Sequence, residues 1–174
     1  MIRGFMGKVP RIADSVFVDD TAYIIGDVEI GENSSVWPGA VIRADARSMT
    51  IGKNTHIEDN VVVHFTKVVG DNVILGHGAV VEATVIGNNV LIGDNATVLA
   101  GCRIGDFCII GAGATVMQRT NIPDHSFVVG VPAEIKGEIT ESQLSIIQET
   151  LTSFGPLIDA HKKNRDMLQA EEPK

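Results

Sequence analysis

"IGDNATVLAGCRIGDFCIIGAGATV", residues 92–116, carries an aliphatic side chain at every sixth position: Ile92, Val98, Ile104, Ile110 and Val116. A fixed short period is the mark of a repeat architecture and takes precedence over every other signal. Followed outward, the ladder begins at Ile12 and runs through Val18, Ile24, Ile30, Val36 and Ile42. After a three-residue insertion it resumes at Ile51, Ile57, Val63, Val69, Leu75 and Val81. One turn is a residue short, and the series then runs from Ile86 through residues 92–116 to Ile122 and Val128. All twenty rungs are Ile, Val or Leu, although these types supply only 48 of the 174 residues.

The intervening residues follow the same period. Glycine follows the rung at 31, 52, 70, 76, 87, 93, 105 and 111. Asparagine stands three residues past it at 33, 54, 60, 72, 89 and 95, and asparagine tolerates the left-handed backbone of a tight corner. Four residues past it the side chain is small: Ala22, Ser34, Ala40, Thr55, Ala79, Ala96, Cys102, Cys108 and Ala114. Large and small inward side chains in alternation fill the interior of a narrow parallel coil. The two cysteines are thereby read as filling inward slots rather than as a disulfide framework.

The pattern resembles the hexapeptide-repeat proteins. That resemblance implies an all-β, left-handed parallel β-helix with three six-residue faces per coil and about seven coils over residues 12–133. We divide the chain into a β-helix at 1–137 and a C-terminal helical extension at 138–174. Thr140 to Gln143 reads as a helix N-cap with a capping box. Leu144, Ile147, Leu151, Phe154 and Ile158 follow at helical spacing, an apolar stripe expected to pack along the β-helix or a neighbouring subunit. Gly155-Pro156 is expected to break or kink this helix, and the closing "QAEEPK" to fray.

Composition sets the outer bounds. The net charge is −8 and the pI about 5, with no basic run, which argues against a nucleic-acid partner. Neither a signal-type h-region nor a stretch near 18 apolar residues is present, so no membrane role is expected and a cytoplasmic location is.

With the faces lettered A, B and C from Ile12, the rungs Ile42, Val63 and Val81 fall on face C in successive coils. Arg43, His64 and Glu82, each one residue on, then stack in a column at about 4.8 Å per coil. His77 lies on face B, directly above Asp59, and Glu58 is beside Asp59 on the same face. One β-helix does not bring His77 to His64 and Glu82. Two copies side by side do, and a threefold homotrimer sets face B of one subunit against face C of the next.

"SVWPGAVIRAD" (35–45), "HIEDNVVVH" (56–64), "GHGAVVEATVIG" (76–87) and "VGVPAE" (129–134) resemble the ordered motifs of the γ-class carbonic anhydrase family. The resemblance implies a trimer with zinc or iron(II) at each subunit interface. Carried over by position, the ligands are His64, His77 and Glu82, the last standing where the family has a third histidine. Two histidines and a glutamate with one open position form a known catalytic zinc arrangement, and the same set suits iron(II). A carboxylate ligand lowers the net charge at the metal and makes bound water a weaker acid.

The family further implies catalytic-site roles for Arg43, Asp45, Glu58 and Asp59. Arg43 matches an arginine that pairs with an aspartate across the interface, here Asp59. Asp45 completes an R-x-D pattern, with Ala44 where glycine is usual. Glu58 stands where a glutamine often orients the reacting water. The tyrosine often found before G-x-P-A and an acidic shuttle loop are both missing. His56, His125 and His161 match no motif and are read as surface or corner residues.

The reaction implied is attack of water on CO2 or a related small carbonyl compound. A small-ester or thioester hydrolase would use the same machinery. A hexapeptide acyltransferase using acyl-CoA, with His77 as base, is the rival enzyme, although the three-residue insertion near "ADARSMT" is short for such a function. A non-catalytic trimeric scaffold with a degenerate metal site is the third reading.

Overall fold

The computed structural model describes the backbone of residues 1–171 and the side chains through Asn164. It is a parallel β-solenoid of about seven turns followed by one helix, Glu141–Glu171. The six-residue ladder is the pairing register. Each rung pairs in parallel with the rung three places on, as in Ile12↔Ile30, Ile42↔Val63, Val63↔Val81, Leu75↔Ile92 and Ile110↔Val128. From Ile24 to Val128 the rungs are all buried, at 3% exposure or less. Ile12 and Val18 are only partly buried, because they belong to the first coil of the stack. The small inward positions named above are equally enclosed, both cysteines included.

The corners explain the asparagines. Asn33, Asn54, Asn60, Asn72, Asn89 and Asn95 all adopt left-handed backbone, with φ between 50° and 59°. Their side chains also link coils: Asn54 donates to Asn72 at 3.1 Å, and Asn72 to Asn89 at 3.2 Å. The three-residue insertion is absorbed in one bulge. Ala44 still pairs with Gly26 and Met49 with Val28, so residues 45–48 lie outside the pairing.

The helix begins as its capping box requires. Thr140 accepts from the Gln143 amide at 3.3 Å, and the Gln143 side chain accepts from the Thr140 amide at 2.8 Å. Ile147, Phe154 and Ile158 bury themselves against Phe17, Trp37, Ile74 and Ile109 of the solenoid, with Leu151 packed alongside. The expected break at Gly155-Pro156 does not occur: the helix runs through Pro156 to Glu171. A proline inside a helix costs roughly 3 kcal/mol. Phe154 and Ile158, buried on either side of it, hold the helix on course by anchoring it to the solenoid. Of the tail expected to fray, residues 169–171 are helical and 172–174 lie outside the described residues.

His56 corrects a sequence expectation. It is 3% exposed, not a surface residue, and its ring stacks on Phe154 at 3.9 Å. The Trp37 indole donates to the Ser35 hydroxyl at 2.7 Å, and that hydroxyl lies 2.8 Å from His56 Nδ1. The hydroxyl keeps a second lone pair and its own proton, so the Ser35–His56 hydrogen bond fits either neutral tautomer of the ring. Burial lowers its pKa from 6.5 to about 4. His161 is exposed, but its ring lies edge-on to Trp37 at 5.1 Å. His125 sits at a left-handed corner, as expected.

A pH dependence follows. The depressed pKa of His56 means that stability is complete above pH 6.5. It is lost as pH falls from there to about 4, because the unfolded chain binds a proton that the folded chain refuses. The loss should reach about 3 kcal/mol. Urea unfolding midpoints across that range should fall in the wild type, and His56→Leu should remove that part of the slope.

Candidate metal and catalytic site

Two groups of polar side chains form on different sheets. The first belongs to the column of Arg43, His64 and Glu82. Arg43 pairs with His64 in register, and the Val63↔Val81 pairing sets Glu82 in the next coil. The bulge that absorbs the insertion carries Asp45 into this column. Arg43 donates to Asp45 Oδ2 from Nη2 at 2.8 Å and from Nε at 3.2 Å. The Arg43 hydrogen bonds hold the Asp45 carboxyl below its ordinary pKa, and His64 adds to the effect. A carboxylate only accepts, so His64 Nε2, 3.2 Å from Asp45 Oδ1, carries the hydrogen between them. His64 Nδ1 is left to act elsewhere. Glu82 is half-buried, with no hydrogen bond or ion pair to its side chain among the described residues.

The second group surrounds His77, which follows Leu75 by two residues on the other sheet. Its Nδ1 lies 2.6 Å from Glu58 Oε2, and its Nε2 lies 3.5 Å from Asp59. The imidazole is more than half exposed, whereas Glu58 is mostly covered, its side chain at 12%. Burial raises the Glu58 pKa; His77 opposes this, while Asp94 and Asp59 reinforce it.

Asp94 is a neighbour that the sequence reading omitted. Its Oδ1 accepts from the His77 amide at 3.0 Å and lies 3.4 Å from Nδ1. Its position was legible, since Asp59, His77 and Asp94 each stand two residues past a rung in successive coils of one face. Donor atoms of Glu58, His77 and Asp94 lie within 4.8 Å of one another. Asp94, however, does what aspartates do elsewhere in the solenoid. Asp71, Asp106 and Asp124 accept in the same way from the amides of Lys53, Asn88 and Asp106. We read Asp94 as a coil-to-coil amide cap.

Beside Glu58 opens a cleft of about 410 Å³. Its solenoid wall includes Trp37, Asp59 and His77, and the C-terminal helix supplies Phe154, Leu157 and His161. The helix thus covers one flank of the site as well as the hydrophobic face.

The structure therefore joins Arg43 to Asp45 and His64, and His77 to Glu58 and Asp59. Within one protomer no hydrogen bond or ion pair joins the two groups among the described residues. The donor set fits a zinc-like ion in one specific respect. His64 has Nε2 against a carboxylate and Nδ1 free, the outer arrangement that orients metal-ligating histidines; His77 has Nδ1 against Glu58, and its Nε2 would exchange the longer Asp59 contact for the ion.

Residues 10–44 and 83–118 match the bacterial transferase hexapeptide (six repeats) family. The chain is 46% identical over 147 residues to a protein of Methanocaldococcus jannaschii named "Probable carbonic anhydrase", covering 82% of this chain and 92% of that one. It is 35% identical over 164 residues to the mitochondrial gamma carbonic anhydrase 1 of Arabidopsis thaliana, covering 88% of this chain. It spans only 60% of that plant relative's length. A crystal structure of a hexapeptide transferase family protein from Anaplasma phagocytophilum superposes with a TM-score of 0.87 at 28% identity, covering 91% of this chain and 96% of that one. No described helix is long and apolar enough to cross a membrane. The ladder, the placed motifs and these relatives together show that the chain belongs to the γ-class carbonic anhydrase-like family of hexapeptide-repeat proteins.

Proposed function

We propose that the protein is a homotrimeric metalloenzyme of carbonic anhydrase type, adding water to CO2 or a related small carbonyl compound. His64 and Glu82 of one protomer and His77 of the next would hold zinc or iron(II). The carrying observation is that His64 and His77 are each backed by a carboxylate yet stand on different sheets of one chain. When bound, the metal supplies Lewis acidity, lowering the pKa of water and polarising the electrophile.

The chain's own groups take the remaining roles. Asp45, fixed by Arg43, holds the His64 ring in one tautomer. Glu58 Oε2 is engaged by His77, so Oε1 is the atom left to accept a proton from the attacking water. The raised Glu58 pKa makes it a better base than an ordinary carboxylate. Asp59 would accept Arg43 of the adjoining protomer and close the interface. The cleft beside Glu58 would admit the substrate and return the proton to solvent.

Elemental analysis of protein purified anaerobically, without chelator or a His-tag, tests the reading. About one zinc or iron per chain is expected, one for each interface of a closed trimer. A value near zero that added metal does not restore would overturn it. The solved relative named as a hexapeptide transferase supports a second reading, group transfer, for which acyl-CoA is the donor to test. Acetyl-CoA should then raise the melting temperature, an effect the metalloenzyme reading does not expect.

A further inference from the structure

Non-glycine residues in left-handed backbone fall three residues past a rung throughout the described ladder, with one exception. Phe65 falls two past Val63, directly after His64, with φ of 57°. An aromatic side chain is disfavoured in that backbone region, and the corner two residues past Ile24, two coils earlier, is taken by Gly26. Nor does burial explain the residue, for Phe65 is 39% exposed.

What Phe65 touches accounts for it. Its ring lies 3.9 Å from the His64 ring, centroid to centroid, tilted by 44°. The Arg47 guanidinium lies over the Phe65 ring, 5.6 Å from its centroid, within range of a cation–π contact. Arg47 belongs to the same bulge as Asp45, whose carboxylate meets His64 Nε2 at 3.2 Å. The insertion thus reaches the imidazole twice, once at its edge through Asp45 and once through the Phe65 ring. A carboxylate at one nitrogen leaves the ring free to swing about that bond, because χ2 of histidine is broad. A ring packed on the imidazole removes that freedom.

We propose that Phe65, braced by Arg47, is a positioning residue that fixes the His64 ring for a divalent cation. The inference rests on the reading of His64 as a ligand. The three-residue insertion is then a functional device: it carries both the group that sets the tautomer and the group that braces the aromatic ring.

The test is zinc affinity of the full-length protein, measured by competition with a chromophoric chelator. Phe65→Asn should weaken zinc binding by about tenfold, the scale of losses at residues that support metal ligands. Its metal-free melting temperature should match or exceed the wild type, since asparagine accepts the corner. Phe65→Tyr should keep wild-type affinity, because the ring is retained. Phe107→Asn is the control: Phe107 is also left-handed and stacks on His125 at 4.9 Å, and its loss should leave affinity unchanged. Wild-type affinity in Phe65→Asn, with binding lost in His64→Ala, would overturn the positioning role alone. An equal loss in Phe107→Asn would also overturn it, by making the effect general to corners. Wild-type affinity in His64→Ala would instead sink the ligand reading beneath it.

Discussion

His77→Ala should lose nearly all bound metal, from about one ion per chain to almost none, and His64→Ala should do the same. Neither loss should be a folding effect. His77 is more than half exposed and is held by carboxylates outside the inward ladder, Asp59 and Asp94 exposed and Glu58 mostly covered. Its truncation removes pairs that are worth roughly 0–1 kcal/mol when exposed. His64 is more covered but sits outside the inward ladder, beside Val63. Melting temperatures of the metal-free variants should stay close to that of metal-free wild type. Elemental analysis and a thermal scan on the same samples separate the two effects. Glu82→Ala is the informative third variant. A loss equal to the histidine variants makes the glutamate a true ligand, and an unchanged content makes it a bystander.

The largest stability effect should come from Gly26→Ala. Gly26 has a φ of 91°, and an added Cβ would stand 2.3 Å from the Ala44 carbonyl oxygen and 2.6 Å from its carbon. Both the strain and the clash involve backbone, so no side chain can move aside to relieve them. The cost should be about 3 kcal/mol or more, at the top of the range for single substitutions. The same contact marks where the bulge leaves the coil, so Asp45 and His64 should be disturbed together. Gly155→Ala is the opposite case. No atom lies within 4 Å of its added Cβ, and the position is helical. It should stabilise the protein by about 0.5–1 kcal/mol. Urea unfolding of the two variants against wild type measures both predictions.

Much of this was legible in the sequence because a solenoid converts sequence spacing directly into spatial neighbours. A rung at Leu75 specifies Ile57 below and Ile92 above, and so places His77 over Asp59 without reference to the rest of the chain. Asn72 and Ala79 were readable for the same reason, since each occupies a fixed phase of the repeat. The departures arose where something other than the repeat decided the outcome. Pro156 stays helical because Phe154 and Ile158 dock onto another element, a contact that the helix's own sequence does not state. His56 is buried for the complementary reason: it points outward from the solenoid but lies beneath that helix. Asp94 was within reach, one coil above His77. Phe65 was not, because its contact with Arg47 depends on how the inserted residues fold back.

The shared site is tested most directly by mixing two defective chains. His64→Ala and His77→Ala would be denatured together in equal amounts, refolded without chelator and supplied with zinc. Every interface in a pure trimer of either variant lacks one ligand. In mixed trimers, an interface that takes His64 from one chain and His77 from the other is complete. Random assembly should therefore restore about one quarter of the wild-type metal content. No restoration, with wild type treated in the same way regaining its metal, would show that the site is not shared between protomers and would contradict the account.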